Sequence, residues 1–520
     1  MTPSWKSLPP EIRLLILRCI IPQHRLKRTI TDRGFPRASL LATVSKEWRC
    51  FFERETFRRM DLEATDLHNF TKNVGGKNVI RLNYITNVLL TIKLATYTRR
   101  IADKPESGTT ATQNNRTFTK AMAVLLNTLS HWEGQTRGGL LLEIRMYSPS
   151  DRLFHGNLMQ LYDDYPLRFE DDPQLLTTFM RFCRRNKTRF KSFRAAQRSL
   201  DVVGRTKRLH GTPLELKPSL VKKQHFCSKT LRNLPKAPVV KGLILRGDCR
   251  KSIAVKTLTT LFRECFVALE SFNFVRWCGF TEEQETTFLN DQIFVGGLMP
   301  AFPASLQRFV FHIRRDYGRY LPDRSDFVPD ALSTLLAHAC HNFTQFCLPN
   351  DGVSSRLSFW DELMRVDGRE SKLQSLAFKT RYLGHNSSQL AVTEFLIFIS
   401  VTVKRLPALR TLELWSASDG FGCLFRCTLD DFRVKITWRC TDDRFTLQEE
   451  AVRYWAHMAS NRPFEVIKVP LTKSIEFNPM FKLSTMLRGL QLRQLSFDPI
   501  YEAHTRLAEK MDVGTLFGVE

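Results

Sequence analysis

A short apolar pattern that recurs along the C-terminal half constrains the fold of this chain more than any other feature. The pattern is Leu-x-x-Leu-x-Leu with Phe allowed at each apolar place, and it occurs at Leu269, Leu306, Phe343, Leu373, Leu409 and Leu492. In every copy the second and third residues are not apolar, as in "LESFNF" and "LQRFVF". Apolar residues that alternate at the fourth and sixth places are typical of a strand with one buried face.

The spacing of these copies indicates what lies between the strands. From Leu269 to Leu409 the copies lie 30 to 37 residues apart, whereas the strand pattern of a leucine-rich repeat usually returns after about 20–29 residues. The extra length contains helical patterns such as "PDALSTLLAHACHNF" and "TEFLIFISVTVKRLPAL". Looser copies begin at Leu89, Leu141 and Val240. We therefore predict that the chain belongs to the α/β fold class. Residues 63–180 and 237–422 should form an irregular leucine-rich-repeat-like solenoid built from helix-loop-strand units.

The rhythm changes at Cys423. The segment "LFRCTLDDFRVKITWRC" alternates like a hairpin, and "FEVIKVPL" has the composition of another strand. Between them, "TLQEEAVRYWAHMAS" predicts a helix with Thr446 as its N-cap. We expect residues 423–500 to form an α/β cap, followed by a tail over 501–520.

The first twenty residues predict a helix that is apolar on nearly every side. In "SLPPEIRLLILRCI", Pro9 and Pro10 suit a helix start. Two apolar faces follow, one with Ile12, Leu15, Ile16 and Cys19 and the other with Leu14, Leu17 and Ile21. A helix of this kind should be buried on all sides.

A second helix is predicted from about Pro36, in "PRASLLATVSKEWRCFFE". Leu41, Val44, Trp48 and Phe51 or Phe52 recur there at helical spacing. The two helices span only 1–62, a unit too small to bury both faces of the first helix by itself. The other face must therefore pack on the rest of this chain or on a partner protein.

The stretch "LPPEIRLLIL" followed by "LATVSKEWRCFFERETFRR" resembles an F-box, the helical motif that docks on the Skp1 adaptor of cullin-RING ubiquitin ligases. The resemblance implies a Skp1-like adaptor as partner. The residues that it places at the adaptor interface are Leu8, Pro9, Glu11, Ile12, Ile16, Val44 and Trp48. Residues 22–39 form a longer insertion than an F-box usually has. The alternative is a helical hairpin that packs on its own C-terminal domain.

Most of the chain resembles fungal F-box-like proteins with a long C-terminal region that has no assigned function. The segments that carry this resemblance also include "SPSD", "LRFEDDPQLLTTF", "KITWRC" and "AVRYWAHMA". It implies a substrate-recognition adaptor of an SCF-type ubiquitin ligase, in which the C-terminal region binds an unknown protein substrate. The expected mechanism is proximity, and no residue of this chain is expected to perform ubiquitin chemistry.

Positive charge is concentrated in one part of the chain. The net charge is +26, and residues 181–256 contain 22 Lys and Arg against three acidic residues. The candidate basic surface consists of Arg184, Arg185, Lys187, Arg189, Lys191, Lys207, Arg208, Lys222 and Lys223. We interpret 181–236 as a loop-rich connector. The alternative function is a basic scaffold that binds nucleic acid or an acidic protein through residues 181–256.

Composition bears on the compartment. The chain has twelve cysteines and no C-x-x-C pair, a usage typical of reduced thiols inside cells. The start lacks the pattern of a signal peptide, and no apolar run reaches the length of a membrane span. We expect an intracellular protein, cytoplasmic or nuclear or both, without a membrane partner.

No enzymatic or cofactor motif is recognisable, so we predict neither a catalytic residue nor a cofactor. Two clusters are candidate metal sites. The first consists of His338, Cys340, His341 and Cys347, and the second of Cys423, Cys427 and Cys440. Zinc needs four convergent ligands. Because Cys347 falls between the core positions Phe346 and Leu348, it should point away from the core. We predict ordinary thiols and imidazoles here, without a metal.

Overall fold

A computed structural model describes residues 5–20, 38–132, 139–155, 202–220, 234–245, 251–277, 297–314, 330–348, 357–366, 368–418, 420–459, 462–469, 471, 486 and 489–492. The strands are β1 (Arg59–Glu63), β2 (Asn87–Lys93), β3 (Leu140–Tyr147), β4 (Val240–Leu245), β5 (Ser271–Trp277), β6 (Arg308–Arg314), β7 (Gln345–Leu348), β8 (Ser375–Lys379), β9 (Thr411–Ser418), β10 (Phe421–Leu429), β11 (Val434–Cys440) and β12 (Phe464–Lys468).

The α-helices are α1 (Pro10–Ile20), α2 (Ala38–Leu41), α3 (Lys46–Phe57), α4 (Leu67–Val74), α5 (Gly108–Ser130), α6 (Pro149–His155), α7 (Val202–His210), α8 (Val255–Thr260), α9 (Asp330–Cys340), α10 (Leu357–Arg365), α11 (Gln389–Lys404) and α12 (Glu449–Ala459). A π-helical turn, Leu261–Cys265, extends α8. Short 3₁₀ helices occupy Trp5–Ser7, Gly76–Tyr84, Arg99–Ile101, Pro218–Leu220, Met299–Ala301, Gly368–Glu370 and Arg381–Leu383.

The described strands form one sheet in which spatial order equals chain order. Each strand from β1 to β8 pairs in parallel with the next, and β11 and β12 are also parallel. The pairs β9–β10 and β10–β11 are antiparallel. The chain is therefore a mixed α/β protein, as the sequence predicts at this level.

The apolar places of the recurring pattern fill one face of the sheet. At the five copies from Leu269 to Leu409, the fourth and sixth residues are buried in a single core, for example Phe272 and Phe274 in β5. The first residue of each of these copies is buried there as well. The alternation therefore encodes which side of each strand faces the core, and that part of the prediction is confirmed.

The helices between the strands cover this same face. The predicted helical segments correspond to α9 and α11, whose buried apolar residues belong to the same core as the strands. In α12, the indole of Trp455 donates a hydrogen bond to the carbonyl oxygen of Leu396 in α11, at 3.1 Å. The looser copies at Leu89, Leu141 and Val240 also lie in strands, namely β2, β3 and β4.

The cap predicted after Cys423 has the expected hairpin and the expected last strand. β10 and β11 pair from Cys423↔Cys440 to Leu429↔Val434, and β12 pairs with β11. Thr446, however, is not an N-cap, because α12 begins at Glu449. The backbone N–H of Thr446 instead donates to Oε1 of Gln389 at 3.0 Å.

Two further expectations change at the ends of the chain. The second N-terminal helix is divided into α2 and α3, because the Ser45 side chain accepts the Trp48 N–H and thereby starts a new helix. The copy at Leu492 lies mostly outside the described residues. Leu492 itself is not part of a described strand and contacts the opposite face of the sheet. We name Met486 and residues 489–492 the C-terminal strap.

Within the described residues, no helix combines the length and the apolar character that crossing a membrane requires.

Candidate functional site

Side-chain contacts hold the two N-terminal helices together. The carboxylate of Glu47 in α3 accepts hydrogen bonds from the Trp5 indole and the Arg13 guanidinium, both at 3.0 Å. The Trp48 ring lies 5.7 Å from the ring of Trp5 and 5.7 Å from that of Phe52. Trp48 is therefore half-buried between Trp5 and Phe52, and the Arg13–Glu47 contact joins α1 to α3.

α3 also contacts the main body of the protein. Phe52 is buried and Phe57 packs against the main core. The guanidinium of Arg81 donates to Glu53 at 2.7 Å and lies 5.2 Å from the centre of the Phe57 ring. These contacts anchor α3 while leaving the outer side of α1 open.

The opening helix is not buried all round, contrary to the expectation from its composition. Leu17 is fully buried, whereas Ile12 is 42% exposed and Leu15 is 52% exposed. Cys19, on the same predicted face, is exposed too. On the neighbouring segment Val44 is 59% exposed. The described part of this chain thus leaves apolar side chains of both N-terminal segments facing solvent.

The residues assigned to the adaptor interface differ in accessibility. Pro9, Glu11, Ile12 and Val44 are exposed, and Leu8, Ile16 and Trp48 are half-buried. Sequence reasoning did not assign Leu14, Leu15 and Leu40 to this surface, although all three are exposed. The helical periodicity located Leu15 on the correct face, but it carried no signal for Leu40.

Only part of the predicted basic surface lies in the described residues. Arg184, Arg185, Lys187, Arg189, Lys191, Lys222 and Lys223 fall outside them. Lys207 is exposed on α7. Arg208 is 7% exposed, because its guanidinium lies over the Tyr97 ring, 4.4 Å from the ring centre. Arg208 therefore does not contribute to a solvent-facing basic surface.

A buried polar cluster lies beyond the carboxyl ends of β2 and β3. Lys251 Nζ contacts Glu106 Oε2 at 2.6 Å, and both side chains are almost fully buried. Glu106 also accepts hydrogen bonds from the Asn114 amide at 2.6 Å and the Thr212 N–H at 2.8 Å. Burial alone would raise the pKa of Glu106, but the charge and hydrogen bonds of Lys251 and these other donors lower it.

Little space remains in this cluster. The neighbouring cavity is about 20 Å³ in volume, which is room for about one water molecule. Carboxyl ends of parallel strands are common ligand sites, but this one is filled by its own ion pair. The cluster therefore joins the segment around Thr212 to the first half of the sheet.

A larger open groove runs along the amino ends of the parallel strands. Its volume is about 440 Å³, and residues that line it include Lys241, Glu270, Ser271, Arg308 and Gln345. Lys241 pairs with Glu270 at 2.9 Å, and the Nε of Arg308 donates to Gln345 at 2.7 Å. Lys241 and Arg308 in this groove are thus paired with other side chains of the groove itself.

The cysteines of the two candidate metal clusters are buried in the folded interior. Cys347 lies on the face opposite the main core, with Val310 and Ala377, as its position between Phe346 and Leu348 predicts. Cys423, Cys427 and Cys440 belong to the main core. Across the described ranges, no group of three or more His, Cys, Asp and Glu side chains is arranged to hold a metal ion.

Comparison with known proteins gives a family match without an activity. A family model described as "Family of unknown function (DUF6546)" matches residues 307–494. No curated protein matches the chain, and no solved structure matches it. The matched range begins one residue before β6 and includes β12 and the C-terminal strap.

Proposed function

We propose that this protein is an F-box substrate-recognition adaptor of an SCF-type ubiquitin ligase, with a Skp1-like adaptor bound to its N-terminal helices. The observation that carries the proposal is the solvent exposure of the apolar side chains Ile12, Leu15 and Val44 in the two N-terminal helical segments. Exposed apolar patches on a folded protein commonly mark protein–protein interfaces. The same segment has the F-box pattern in its sequence.

The rest of the chain would serve as the substrate-binding part. Parallel strands in chain order, with a regular apolar pattern on one face, support a leucine-rich-repeat-like scaffold. The polar groove beside Arg308 and Gln345 offers a surface on the other face. A rigid scaffold that binds adaptor and substrate together raises their effective concentration, and this is the whole mechanism that the proposal requires.

The test is co-purification with a Skp1-like adaptor. The full chain and the adaptor are co-expressed and captured in about 0.5 M salt, at which exposed charges more than a few ångströms apart are screened. We expect the wild type to retain the adaptor, because apolar contacts tolerate salt. The triple variant Ile12→Ala/Leu15→Ala/Val44→Ala should lose it.

A matched control removes the same kind of side chain elsewhere. Leu335, Leu390 and Val401 are also exposed, so their triple alanine variant should bind the adaptor like the wild type. Failure of the folded wild type to retain the adaptor would overturn the proposal. Equal loss in both triple variants would also overturn it, because the effect would then not belong to the N-terminal helices.

A further inference from the structure

One row of side chains crosses five strands on the face opposite the main core. In register, Val310 of β6 lies beside Cys347 of β7, which lies beside Ala377 of β8. The row continues to Glu413 of β9 and Arg426 of β10. The row therefore consists of three small or apolar residues followed by a charged pair.

The charged pair holds the main chain of the C-terminal strap. Glu413 is fully buried and pairs with Arg426 at 2.6 Å. Its two carboxylate oxygens also accept the backbone N–H groups of Gln491 and Leu492, both at 2.8 Å. Arg426 donates in turn to the carbonyl oxygen of Gly489 at 2.6 Å. Three main-chain groups of the strap are therefore bound by two side chains.

Apolar side chains of the strap fill the sites on either side of this pair. Leu492 packs against the row formed by Val310, Cys347 and Ala377. On the other side, Met486 and Leu490 are buried with residues of β9 and β10. That second cluster also contains Leu471, Trp415, Ala417 and Leu424. The strap thus presents two leucines, Leu490 and Leu492, separated by one residue, to two separate apolar sites.

These contacts are of a kind that another peptide could make. Every peptide has the N–H and C=O groups that Glu413 and Arg426 bind, so the pair does not require the strap's own side chains. Because Glu413 pairs with Arg426 independently of the strap, its charge would stay paired after the strap leaves. Selectivity would come from the apolar sites on both sides.

We infer that this row is a peptide-binding site, occupied by the C-terminal strap in the free protein and open to a Leu-x-Leu segment of another polypeptide. Within the proposed function, on which this role rests, that segment would belong to the substrate protein. The strap would then act as an internal competitor.

The test uses the full chain and a fluorescent peptide with the sequence of residues 484–494, "STMLRGLQLRQ". In the full-length variant Leu490→Ser/Leu492→Ser, binding of the tethered strap to its site is weakened. The added peptide should therefore bind to this variant in a fluorescence-anisotropy titration. The wild type should bind it at least about tenfold more weakly, because a tethered competitor has a high effective concentration. Adding Glu413→Gln to the strap variant should abolish binding, since an amide cannot replace the carboxylate as acceptor of all three donors.

Two controls make the result decisive. A peptide with serine in place of Leu490 and Leu492 should not bind, and circular dichroism should show that every variant is folded. A folded strap variant that ignores the peptide, or that binds both peptides equally, overturns the inference.

Hydrogen exchange of the wild type provides a measurement without substitutions. The amides of Gln491 and Leu492 should exchange faster than those of Leu412 and Leu414 in β9, through local opening of the strap. Equal protection would show that the strap leaves only on global unfolding and would overturn the inference.

The peptide titration and the adaptor co-purification can fail separately. If the strap variant binds the peptide but the wild type does not retain the adaptor, only the proposed ligase role is overturned. If the wild type retains the adaptor but the strap variant does not bind the peptide, only the peptide-binding site is overturned.

Discussion

Lys251 and Glu106 form an ion pair at 2.6 Å although they lie 145 positions apart in the chain. Both side chains are almost fully buried, with exposures of 7% and 6%. Their contact connects the segment before α5 to the segment that follows β4. The pair is therefore a tertiary contact between parts of the chain that are distant in sequence.

Replacing Lys251 by Met should destabilise the protein strongly. The substitution leaves the Glu106 carboxylate buried without its cation, a change that typically costs about 3–5 kcal/mol. Urea unfolding at neutral pH measures it. The control is Lys241→Met, whose partner Glu270 is half-exposed, and that change should cost less than about 1 kcal/mol. Similar costs for both variants would contradict the role assigned to burial.

The same pair predicts a dependence on acid. The folded protein lowers the pKa of Glu106 below its ordinary value of 4.5. The stability that this group contributes is therefore complete above pH 4.5 and disappears as the pH falls through the lowered folded-state pKa. The stability difference between wild type and Glu106→Gln should shrink correspondingly in urea unfolding below pH 4.5. A difference that stays constant with pH would contradict this prediction.

Phe309 should be among the most costly core residues to truncate. It is fully buried in β6, and its ring centre lies 5.3 Å from that of Phe302 and 5.4 Å from that of Phe343. Phe309→Ala should cost about 3–5 kcal/mol in denaturant unfolding. Phe432, which is 83% exposed in the β10–β11 turn, is the matched control, and its alanine variant should change stability by less than about 0.5 kcal/mol.

The strands could be predicted because apolar and polar residues alternate along them, and this alternation indicates which side chains are buried. In "LQRFVF", Phe309 and Phe311 face the core, and the sequence shows this without knowledge of any distant residue. The same alternation placed Cys347 on the opposite face, where it lies. Local hydrogen-bonding signals were harder to interpret. The periodicity alone predicts one continuous helix through α2 and α3, whereas Ser45 caps α3 as a separate helix. Thr446 is predicted as an N-cap, but α12 does not start there.

Contacts between distant parts of the chain could not be predicted. The pattern "LRTLEL" assigns Glu413 to a face away from the core, which is correct, but nothing near it shows that Gln491 and Leu492 cover that face. Arg208 looked like part of a basic surface, yet it reaches Pro105, 103 positions earlier in the chain. Periodicity reports which residues share a face, whereas burial depends on what packs there.

Gly368 should not tolerate a side chain. A Cβ at this buried position would collide with the carbonyl oxygen of Arg405, which is backbone and cannot rotate away. Gly368→Ala should therefore destabilise the protein by about 1–3 kcal/mol. At Gly108, the first residue of α5, a Cβ would meet no atom within 4 Å. Gly108→Ala should be neutral or stabilising by up to about 1 kcal/mol. Thermal unfolding of both variants would decide, and a tolerant Gly368 would contradict the clash.

Cys423 and Cys440 should form a disulfide under mild oxidation. They lie directly opposite each other in β10 and β11, and both are free thiols. The adjacent residues Gly422 and Thr441 share a backbone hydrogen bond, so the cysteine pair occupies a non-hydrogen-bonded position. Residues opposite each other at such a position have Cα atoms about 4.5 Å apart, within the range of about 4.4–6.8 Å that a disulfide needs.

The two thiols differ in reactivity, because burial raises the pKa of Cys423 well above its usual value. A hydrogen bond from the Cys423 thiol lowers the pKa of Cys440, which favours the nucleophilic thiolate there. With diamide as oxidant, the Cys440 thiolate would attack its nitrogen–nitrogen double bond. The Cys423 thiol would then displace the reduced hydrazine and form the sulfur–sulfur bond. Mass spectrometry of a digest without reduction should find the linked peptides.

The variant Cys440→Ser should abolish this link, and Cys347→Ser should leave it unchanged, because Cys347 lies on the opposite face of the sheet. Recovery of both cysteines as thiols after prolonged oxidation of the folded protein would show that the buried pair does not react. A link from Cys423 to Cys427 instead would contradict the strand register, since Cys427 is paired with Ile436.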